Sequence, residues 1–258
     1  MNSVIYYFSG SGNSYKIAKK ISERLGDTEL IKISAENMHL DLVNNYKKVG
    51  IVFPVYFFSL PKMVKEFVEN LKIDDEDYIY SVGTCGGFVG VAFVHLQEIF
   101  LKKGYSNLST FKILMPDNYQ VLYSPSPVEK QLDVISKSNI ILDTIVPLIR
   151  DEKFHREKDP NIGLKIIGNT AYKTFKPRDK DKNFWTDENC NGCSICEKIC
   201  PANDIVMVHN KRKWLNNCEQ CLACMQWCPE KSIQYKKGTI KRDRYTHPEV
   251  KVWEMIKL

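Results

Sequence analysis

Short apolar runs alternate with amphipathic segments along roughly the first 120 residues. An apolar run bounded by turn residues is typical of a strand buried on both faces, whereas apolar residues spaced three and four apart predict a helix with one buried face. The predicted strands cover residues 3–8, 29–33, 49–53, 78–84 and 111–115. The predicted helices cover residues 13–25, 61–71, 91–103, 127–146 and 163–173, and Pro147 is expected to end or kink the fourth.

This alternation with short connections predicts an α/β fold, in which a parallel sheet carries helices on both faces. The pattern changes at residues 176–182, which are polar and highly charged, and we expect a linker there. Beyond it, eight of the nine cysteines follow within 39 positions, from Cys190 to Cys228. Short strands are predicted at residues 205–208 and 232–235. We therefore expect residues 1–175 to form one domain with a helical extension at about 127–175, residues 176–183 a charged linker, and residues 184–258 a small α+β domain with a C-terminal tail.

A turn rich in hydroxyls and glycines joins the first strand to the first helix. Free backbone N–H groups and the helix dipole favour an anion at a helix N-terminus, and small residues let the backbone approach a phosphate. The spacing matches neither the Walker motif nor the dinucleotide fingerprint. A plain helix cap remains the alternative. The residues of this candidate phosphate loop are Ser9, Ser11, Gly12, Asn13 and Ser14.

The candidate phosphate loop resembles that of flavodoxins, which bind FMN at the switch point of a sheet with strand order 2-1-3-4-5. The resemblance implies a flavodoxin-like doubly wound five-stranded sheet and non-covalent FMN. It also implies that the loops after the third and fourth strands flank the flavin ring and that the loop after the fifth reaches its edge. The residues expected at the ring are Pro54, Val55, Tyr56, Phe57, Phe58, Thr84, Cys85, Gly86, Gly87, Asn118 and Tyr119.

Each ring loop also has a simpler interpretation. The aromatic side chains at positions 56–58 could belong to the core or to a lid, and Gly86 and Gly87 to a turn. For Cys85 we favour a small buried side chain over a catalytic thiol. The sequence also departs from the family, because no glycine occurs between Pro54 and Pro61 and Ser59 occupies the position expected beside the reactive ring nitrogen.

The cysteines form two copies of C-x₂-C-x₂-C-x₃-C-P, the pattern of bacterial two-cluster ferredoxins. In that family the fourth cysteine of each run binds the other cluster. The resemblance therefore implies one 4Fe–4S cluster on Cys190, Cys193, Cys196 and Cys228, and a second on Cys218, Cys221, Cys224 and Cys200. Zinc sites, a disulfide scaffold and clusters with a purely structural role are the alternatives.

The formal net charge is +6. On a redox protein this charge favours an acidic partner such as a ferredoxin or flavodoxin, or a reductase or dehydrogenase, although lysines also serve solubility. The basic residues are scattered apart from Lys211-Arg212-Lys213 and Lys236-Lys237, and the sequence shows no nucleic-acid-binding motif, so nucleic-acid binding is not expected. The longest apolar run is too short for a bilayer, and the first residues resemble a strand rather than a signal peptide, so we expect a cytoplasmic protein without a membrane partner. A homodimer is left open.

As a whole, the chain resembles the flavodoxin–ferredoxin fusion proteins of anaerobes. The resemblance implies electron transfer between FMN and two 4Fe–4S clusters, as a low-potential relay in anaerobic metabolism. The alternative is an enzyme that reduces a small molecule at the flavin, for which Tyr56, Tyr119 and Asp117 are the candidate proton donors. A binding module that senses cluster state is a third hypothesis.

Overall fold

A computed structural model of the protein describes residues 2–38 and 46–256. Met1, residues 39–45 and the last two residues of the predicted tail lie outside the described residues. Within the described ranges, every helix is too short or too polar to cross a lipid bilayer.

Five parallel strands form the central sheet in the order β2-β1-β3-β4-β5. This order confirms the flavodoxin-like α/β fold expected from the sequence. Every strand except β2 is almost completely buried, as its continuous apolar sequence predicts. The strands are β1 (Ser3–Tyr7), β2 (Thr28–Lys32), β3 (Lys48–Pro54), β4 (Tyr78–Cys85) and β5 (Ser109–Leu114).

Helices cover both faces of the sheet and create two separate apolar cores. Apolar residues of α2 and α3 fill the core on one face, and those of α1 and α4 fill the core on the other. The helices are α1 (Asn13–Leu25), α2 (Lys62–Asn70), α3 (Ala92–Lys102), α4 (Val128–Arg150) and α5 (Ile162–Thr174). Their crossover connections bring the loops after β1, β3, β4 and β5 to one edge of the sheet.

Helix α4 continues through Pro147 to Arg150, so the prediction that this proline ends the helix is wrong. Proline removes a single backbone donor, and only three helical residues follow it. Val146 and Ile149 are buried on either side of it, which holds the last turn against the sheet.

The segment predicted as a charged linker is largely folded. Arg178–Asn183 forms a 3₁₀ helix. Its Asp181 is 2% exposed, and the Asp181 carboxylate accepts a hydrogen bond from the backbone N–H of Asn216 at 2.7 Å. Arg178 donates to Glu66 of α2 at 2.6 Å. The charges therefore attach this segment to both halves of the chain.

The cysteine-rich half contains two short helices and two antiparallel strand pairs. Strand β6 pairs with β9, and β7 pairs with β8. The sequence predicted β7 and β9, but β6 and the lysine-rich β8 were missed. The elements are β6 (Phe184–Thr186), α6 (Ile195–Ile199), β7 (Ile205–Val208), β8 (Lys211–Trp214), α7 (Ala223–Gln226) and β9 (Ile233–Tyr235).

The C-terminal segment, residues 239–256, returns to the flavodoxin-like half and ends in α8 (Val252–Ile256). Val250 and Met255 are buried in the core beneath α1 and α4. Lys32, at the end of β2, donates to the carbonyl oxygen of Met255 at 2.8 Å. This part of the predicted tail is therefore integrated into the first domain's core.

Candidate functional site

The candidate phosphate loop turns sharply from β1 into α1. Gly12 has φ +97°, a left-handed conformation that side chains rarely adopt, and α1 begins at the next residue. The backbone N–H of Gly12 donates to Ser9 Oγ at 3.2 Å, and Ser14 Oγ lies 2.8 Å from Thr84 Oγ1. The five residues of the loop are thus buried polar groups at a helix N-terminus, a donor set that suits a phosphate.

The loop after β5 contacts the candidate phosphate loop directly. Asn118 Nδ2 donates to Ser11 Oγ at 2.8 Å, and Asn13 Nδ2 donates to the carbonyl oxygen of Pro116 at 3.1 Å. Asn118, which the sequence predicted at the ring edge, therefore lies beside the phosphate loop.

The loop after β3 contains a tight two-residue turn between Tyr56 and Ser59. The backbone N–H of each donates to the carbonyl oxygen of the other, at 2.8 and 2.9 Å. The two central residues, Phe57 and Phe58, have φ values of +45° and +65°. Asn-Gly is the usual sequence for such a turn, and bulky residues cost about 1–3 kcal/mol each in this conformation.

Packing holds the two phenylalanines in this strained turn. Phe57 stacks on Phe175 with ring centroids 4.2 Å apart and meets Tyr119 edge-on at 5.7 Å. Phe58 stacks on the exposed Phe88 at 5.6 Å. The aromatic side chains of the three ring loops thus contact one another and the segment that leads out of the first domain.

Ser59 is completely buried and anchors the same turn to two helices. Its Oγ lies 2.6 Å from His95 Nδ1 on α3, and His95 Nε2 lies 2.7 Å from Asn169 Oδ1 on α5. A glycine at position 59 could not make this connection, which gives a structural reason for the departure from the flavodoxin pattern.

In the loop after β4, Cys85 is buried, and burial raises the pKa of its thiol to about 11. This environment supports the interpretation of Cys85 as a small core residue. Gly86 packs against Asp117, where a Cβ would lie 2.6 Å from that residue's Cβ, and Gly87 is open on its Cβ side. Glycine at position 86 therefore allows the loops after β4 and β5 to pack closely.

Two cavities in the second half group the eight cysteines in the crossed pattern. The first is lined by Cys190, Cys193, Cys196 and Cys228. The second is lined by Cys200, Cys218, Cys221 and Cys224. All nine cysteines are free thiols, so the disulfide alternative is not realised.

The first cavity includes an exposed cysteine, whereas all four cysteines of the second are partly buried. Cys193, at the first cavity, is exposed, whereas burial raises the pKa of Cys221 to about 12 and that of Cys224 well above its ordinary value. Ligands to iron must be thiolates. Lys32 is a nearby cation that favours thiolates at this second cavity, and iron bound there would supply further positive charge.

The second cavity adjoins the candidate phosphate loop. The carbonyl group of Cys221 packs directly on Gly10, and the Tyr56 hydroxyl lies on the same side of that glycine. Trp227 Nε1 donates to the carbonyl oxygen of Gly10 at 2.9 Å. These contacts pack the cysteine-rich half directly against the candidate phosphate loop.

Glu219, between two cysteines of the second cavity, also reaches the first domain. Its Oε2 accepts the backbone N–H of Met63, near the start of α2, at 3.1 Å. Burial raises the pKa of Glu219 to about 7. A buried carboxylate at a helix N-terminus has a favourable partner in the helix dipole.

The C-terminal segment covers the candidate phosphate loop from outside, which the sequence did not reveal. The backbone N–H of His247 donates to the carbonyl oxygen of Ser11 at 2.9 Å, and the Tyr245 hydroxyl donates to Asn13 Oδ1 at 2.7 Å. Three ion pairs fix this segment to α1: Lys16–Glu249 at 2.9 Å, Lys20–Glu249 at 3.3 Å and Lys19–Glu254 at 2.7 Å. The loop is thereby shielded from water, which strengthens its interactions with an anion.

Two protein-family models match the chain. A flavodoxin domain matches residues 4–83, and a 4Fe–4S dicluster domain matches residues 189–243. No curated protein matches the sequence significantly.

Solved structures with similar folds align with more than 40% of the chain at low identity. An FMN-dependent NADH-azoreductase from Bacillus anthracis, solved with FMN, has 11% identity and a TM-score of 0.41, and the alignment covers 58% of this chain and 100% of that one. Rubredoxin oxygen:oxidoreductase from Desulfovibrio gigas has 15% identity and a TM-score of 0.41, and the alignment covers 59% of this chain and 37% of that one. A flavodoxin from Streptococcus pneumoniae has 15% identity and a TM-score of 0.36, and the alignment covers 55% of this chain and 98% of that one.

The chain thus has an N-terminal flavodoxin domain and a C-terminal 4Fe–4S dicluster domain, the organisation of a flavodoxin–ferredoxin fusion. It is a flavin and iron–sulfur electron-transfer protein. Such a protein exchanges electrons with redox partners.

Proposed function

We propose that this protein transfers electrons within one chain between two 4Fe–4S clusters and a non-covalently bound FMN, as a low-potential relay in anaerobic metabolism. When bound, each cluster exchanges single electrons and the flavin exchanges one or two, so a chain that holds both can link one-electron and two-electron reactions. The residues described above would hold these groups at short range.

The contact between Gly10 and Cys221 is the observation that carries this proposal. Gly10 belongs to the turn that we assign to the flavin phosphate, and Cys221 belongs to the cysteine set that we assign to the second cluster. Because the two backbones touch, the flavin and iron–sulfur sites share a wall. Tyr56 occupies the same wall and packs edge-on against the buried Phe8, with centroids 6.1 Å apart. This arrangement favours transfer inside one molecule over transfer between molecules.

The assigned flavin residues divide the work of binding. The helix N-terminus with Ser9, Ser11, Asn13 and Ser14 would hold the phosphate, while Thr84 orients Ser14. The loops after β3 and β4 would flank the ring. The C-terminal segment excludes water from the phosphate loop through His247 and Tyr245.

The first cavity supports a role as the port for external partners, because Cys193 is exposed while the second cavity adjoins the flavin site. Several exposed lysines lie in the same half, among them those at positions 211, 213, 236 and 237. They favour an acidic ferredoxin or flavodoxin as the partner. Arg212, which the sequence grouped with them, instead points into the first cavity.

Cofactor analysis of protein purified without air tests this proposal. We expect about eight iron and eight sulfide per chain, four of each per cubane, together with one FMN released by heat. Cys224→Ser should lose iron, whereas Cys85→Ser should keep all of it, because Cys85 lies outside both cavities. Stoichiometric zinc, four or fewer iron atoms, or absence of flavin would contradict it.

A further inference from the structure

The two cysteine cavities are related by an internal repeat with a constant offset of 28 residues, as from Cys190 to Cys218. The backbone repeats with the cysteines. Gly192 and Gln220 both have positive φ, and Ser194 and Leu222 have φ values of +60° and +61°. Equivalent positions can therefore be compared directly.

One equivalent pair differs in charge and lies at the cavities themselves. In the β6–β9 pair Phe184 faces Tyr235, and in the β7–β8 pair Arg212 faces Met207, so Phe184 and Arg212 occupy the same place in the repeat. Arg212 lines the first cavity and Phe184 lines the second. A cation therefore stands at one cavity where an aromatic ring stands at the other.

The Arg212 side chain is aimed at sulfur. Its Nη2 donates to Cys190 Sγ, and its guanidinium also interacts with Cys196. The Nε of Arg212 is buried and has no hydrogen-bond acceptor among the described residues. A guanidinium has five N–H donors, and that of Arg212 has an unpaired Nε–H beside a cavity lined by cysteines.

A second equivalent pair reinforces the difference. Ser232, which is completely buried, lies beside Cys190, and its Oγ has no hydrogen-bond partner among the described residues. The equivalent residue at the second cavity is Asp204, whose carboxylate lies beside Cys218. The Arg212 guanidinium thus donates to Cys190 with an unpaired hydroxyl beside it, whereas a carboxylate faces Cys218.

Positive charge and hydrogen bonds to cluster sulfur stabilise the reduced form, which carries one more negative charge. We propose that Arg212, supported by Ser232, is a positioning and tuning residue that raises the reduction potential of the cluster in the first cavity. The inference rests on the proposed two-cluster function. Lys32 and Glu219 near the second cavity act on the other cluster and remain unchanged in the test.

The test is a redox titration with dithionite, followed by electron paramagnetic resonance, on holoprotein and on Arg212→Gln. Each cluster takes up one electron from the reductant. With glutamine, one of the two one-electron steps should move to lower potential. The reduced-to-oxidised ratio of that cluster at a fixed potential should fall at least tenfold, which is about 59 mV for a one-electron couple. The other step should stay in place. Arg212→Lys keeps the positive charge but lacks the planar guanidinium, so the potential of this step should lie between those of the wild type and of Arg212→Gln.

Lys213→Gln is the matched control, because it removes the same charge from the adjacent residue, whose exposed side chain lies on the other face of β8. It should leave both steps in place. An Arg212→Gln protein that holds eight iron and titrates like the wild type, or a Lys213→Gln protein that shifts as far, would overturn the inference. If the wild-type protein lacks two clusters, the proposed function fails first, and iron and sulfide analysis shows that separately.

Discussion

Gly10 and Cys221, 211 positions apart in the chain, pack so closely that a Cβ on Gly10 would overlap the carbonyl oxygen of Cys221. The first residue lies between Ser9 and Ser11 of the candidate phosphate loop, and the second lies in a cysteine loop of the dicluster domain. Glycine is required here by close approach, since no other residue leaves room for a backbone carbonyl. This contact joins the two halves at the site that we assign to electron transfer.

Gly10→Ala should therefore loosen the joint between the two halves. An added methyl group that meets backbone costs about 1–3 kcal/mol, because the partner cannot rotate away. We expect faster hydrogen exchange at residues 218–224 and a lower urea midpoint. Gly163→Ala is the control, because its Cβ would make only an ordinary contact at 3.5 Å. Equal exchange in the two variants would show that the contact is not needed.

A negative charge in the phosphate loop should expel the flavin. Ser11→Asp and Ser14→Asp place a carboxylate among the groups that we assign to the phosphate, so like-charge repulsion should lower FMN content at least tenfold. Flavin fluorescence after heat release measures that content. The exposed Ser106, at the opposite end of the sheet, provides the control substitution Ser106→Asp. A full complement of FMN in the Ser14→Asp protein would place the phosphate elsewhere.

The C-terminal segment should loosen as the pH falls from about 6.5 towards 4. Burial lowers the pKa of His247 from 6.5 to about 4, while Glu249 opposes the shift and Lys16 and Lys20 add to it. The unfolded chain therefore binds a proton over this range and the folded chain does not. Stability from the neutral imidazole is complete above pH 6.5 and is lost as the pH falls.

Lowering the pH from 7.5 to 5.5 should reduce the free energy of unfolding by about 1.4 kcal/mol through His247 alone. This is the free energy that corresponds to about one pH unit below the unfolded-state pKa. Hydrogen exchange in residues 239–256 measures this loss. His247→Gln carries no titratable group, so its exchange should change much less over the same range. An identical pH response in the two proteins would assign the effect to other groups.

Neutralising the exposed lysines of the dicluster domain should slow reduction by an acidic ferredoxin. Replacing Lys211, Lys213, Lys236 and Lys237 with glutamine should lower the second-order rate several-fold at low salt, and the difference should vanish as salt screens the charges. Stopped-flow mixing across a salt series measures this rate. Glutamine at four exposed lysines of the flavodoxin domain, Lys102, Lys130, Lys153 and Lys158, is the matched control. A rate that is independent of salt would exclude steering by charge.

Local patterns determined how much of the fold could be predicted from the sequence. Helix α1 begins and ends where its periodicity and Gly26 predict, and the sheet order follows from the resemblance to flavodoxins. The C-terminal segment carries no comparable signal. Val250 and Met255 belong to a short segment whose burial depends on the core that α1 and α4 provide.

The same limit applies to the site. The cysteine spacing identifies the resemblance to two-cluster ferredoxins, and that resemblance implies which residues line the two cavities. The inward side chain of Arg212 could not be foreseen, since Lys211, Arg212 and Lys213 form one basic run in the sequence. The strand alternation of β8 decides that the middle residue faces the cavity while its neighbours face solvent.

Electron transfer inside one chain is the central claim, and flash reduction of the anaerobic holoprotein tests it most directly. A light pulse delivers less than one electron per chain, and absorbance then follows the reoxidation of the clusters together with the reduction of the flavin. The shared wall at Gly10 and Cys221 predicts a first-order process whose rate constant does not change when the protein is diluted tenfold. A rate constant proportional to protein concentration, or clusters that stay reduced beside oxidised flavin, would contradict the account.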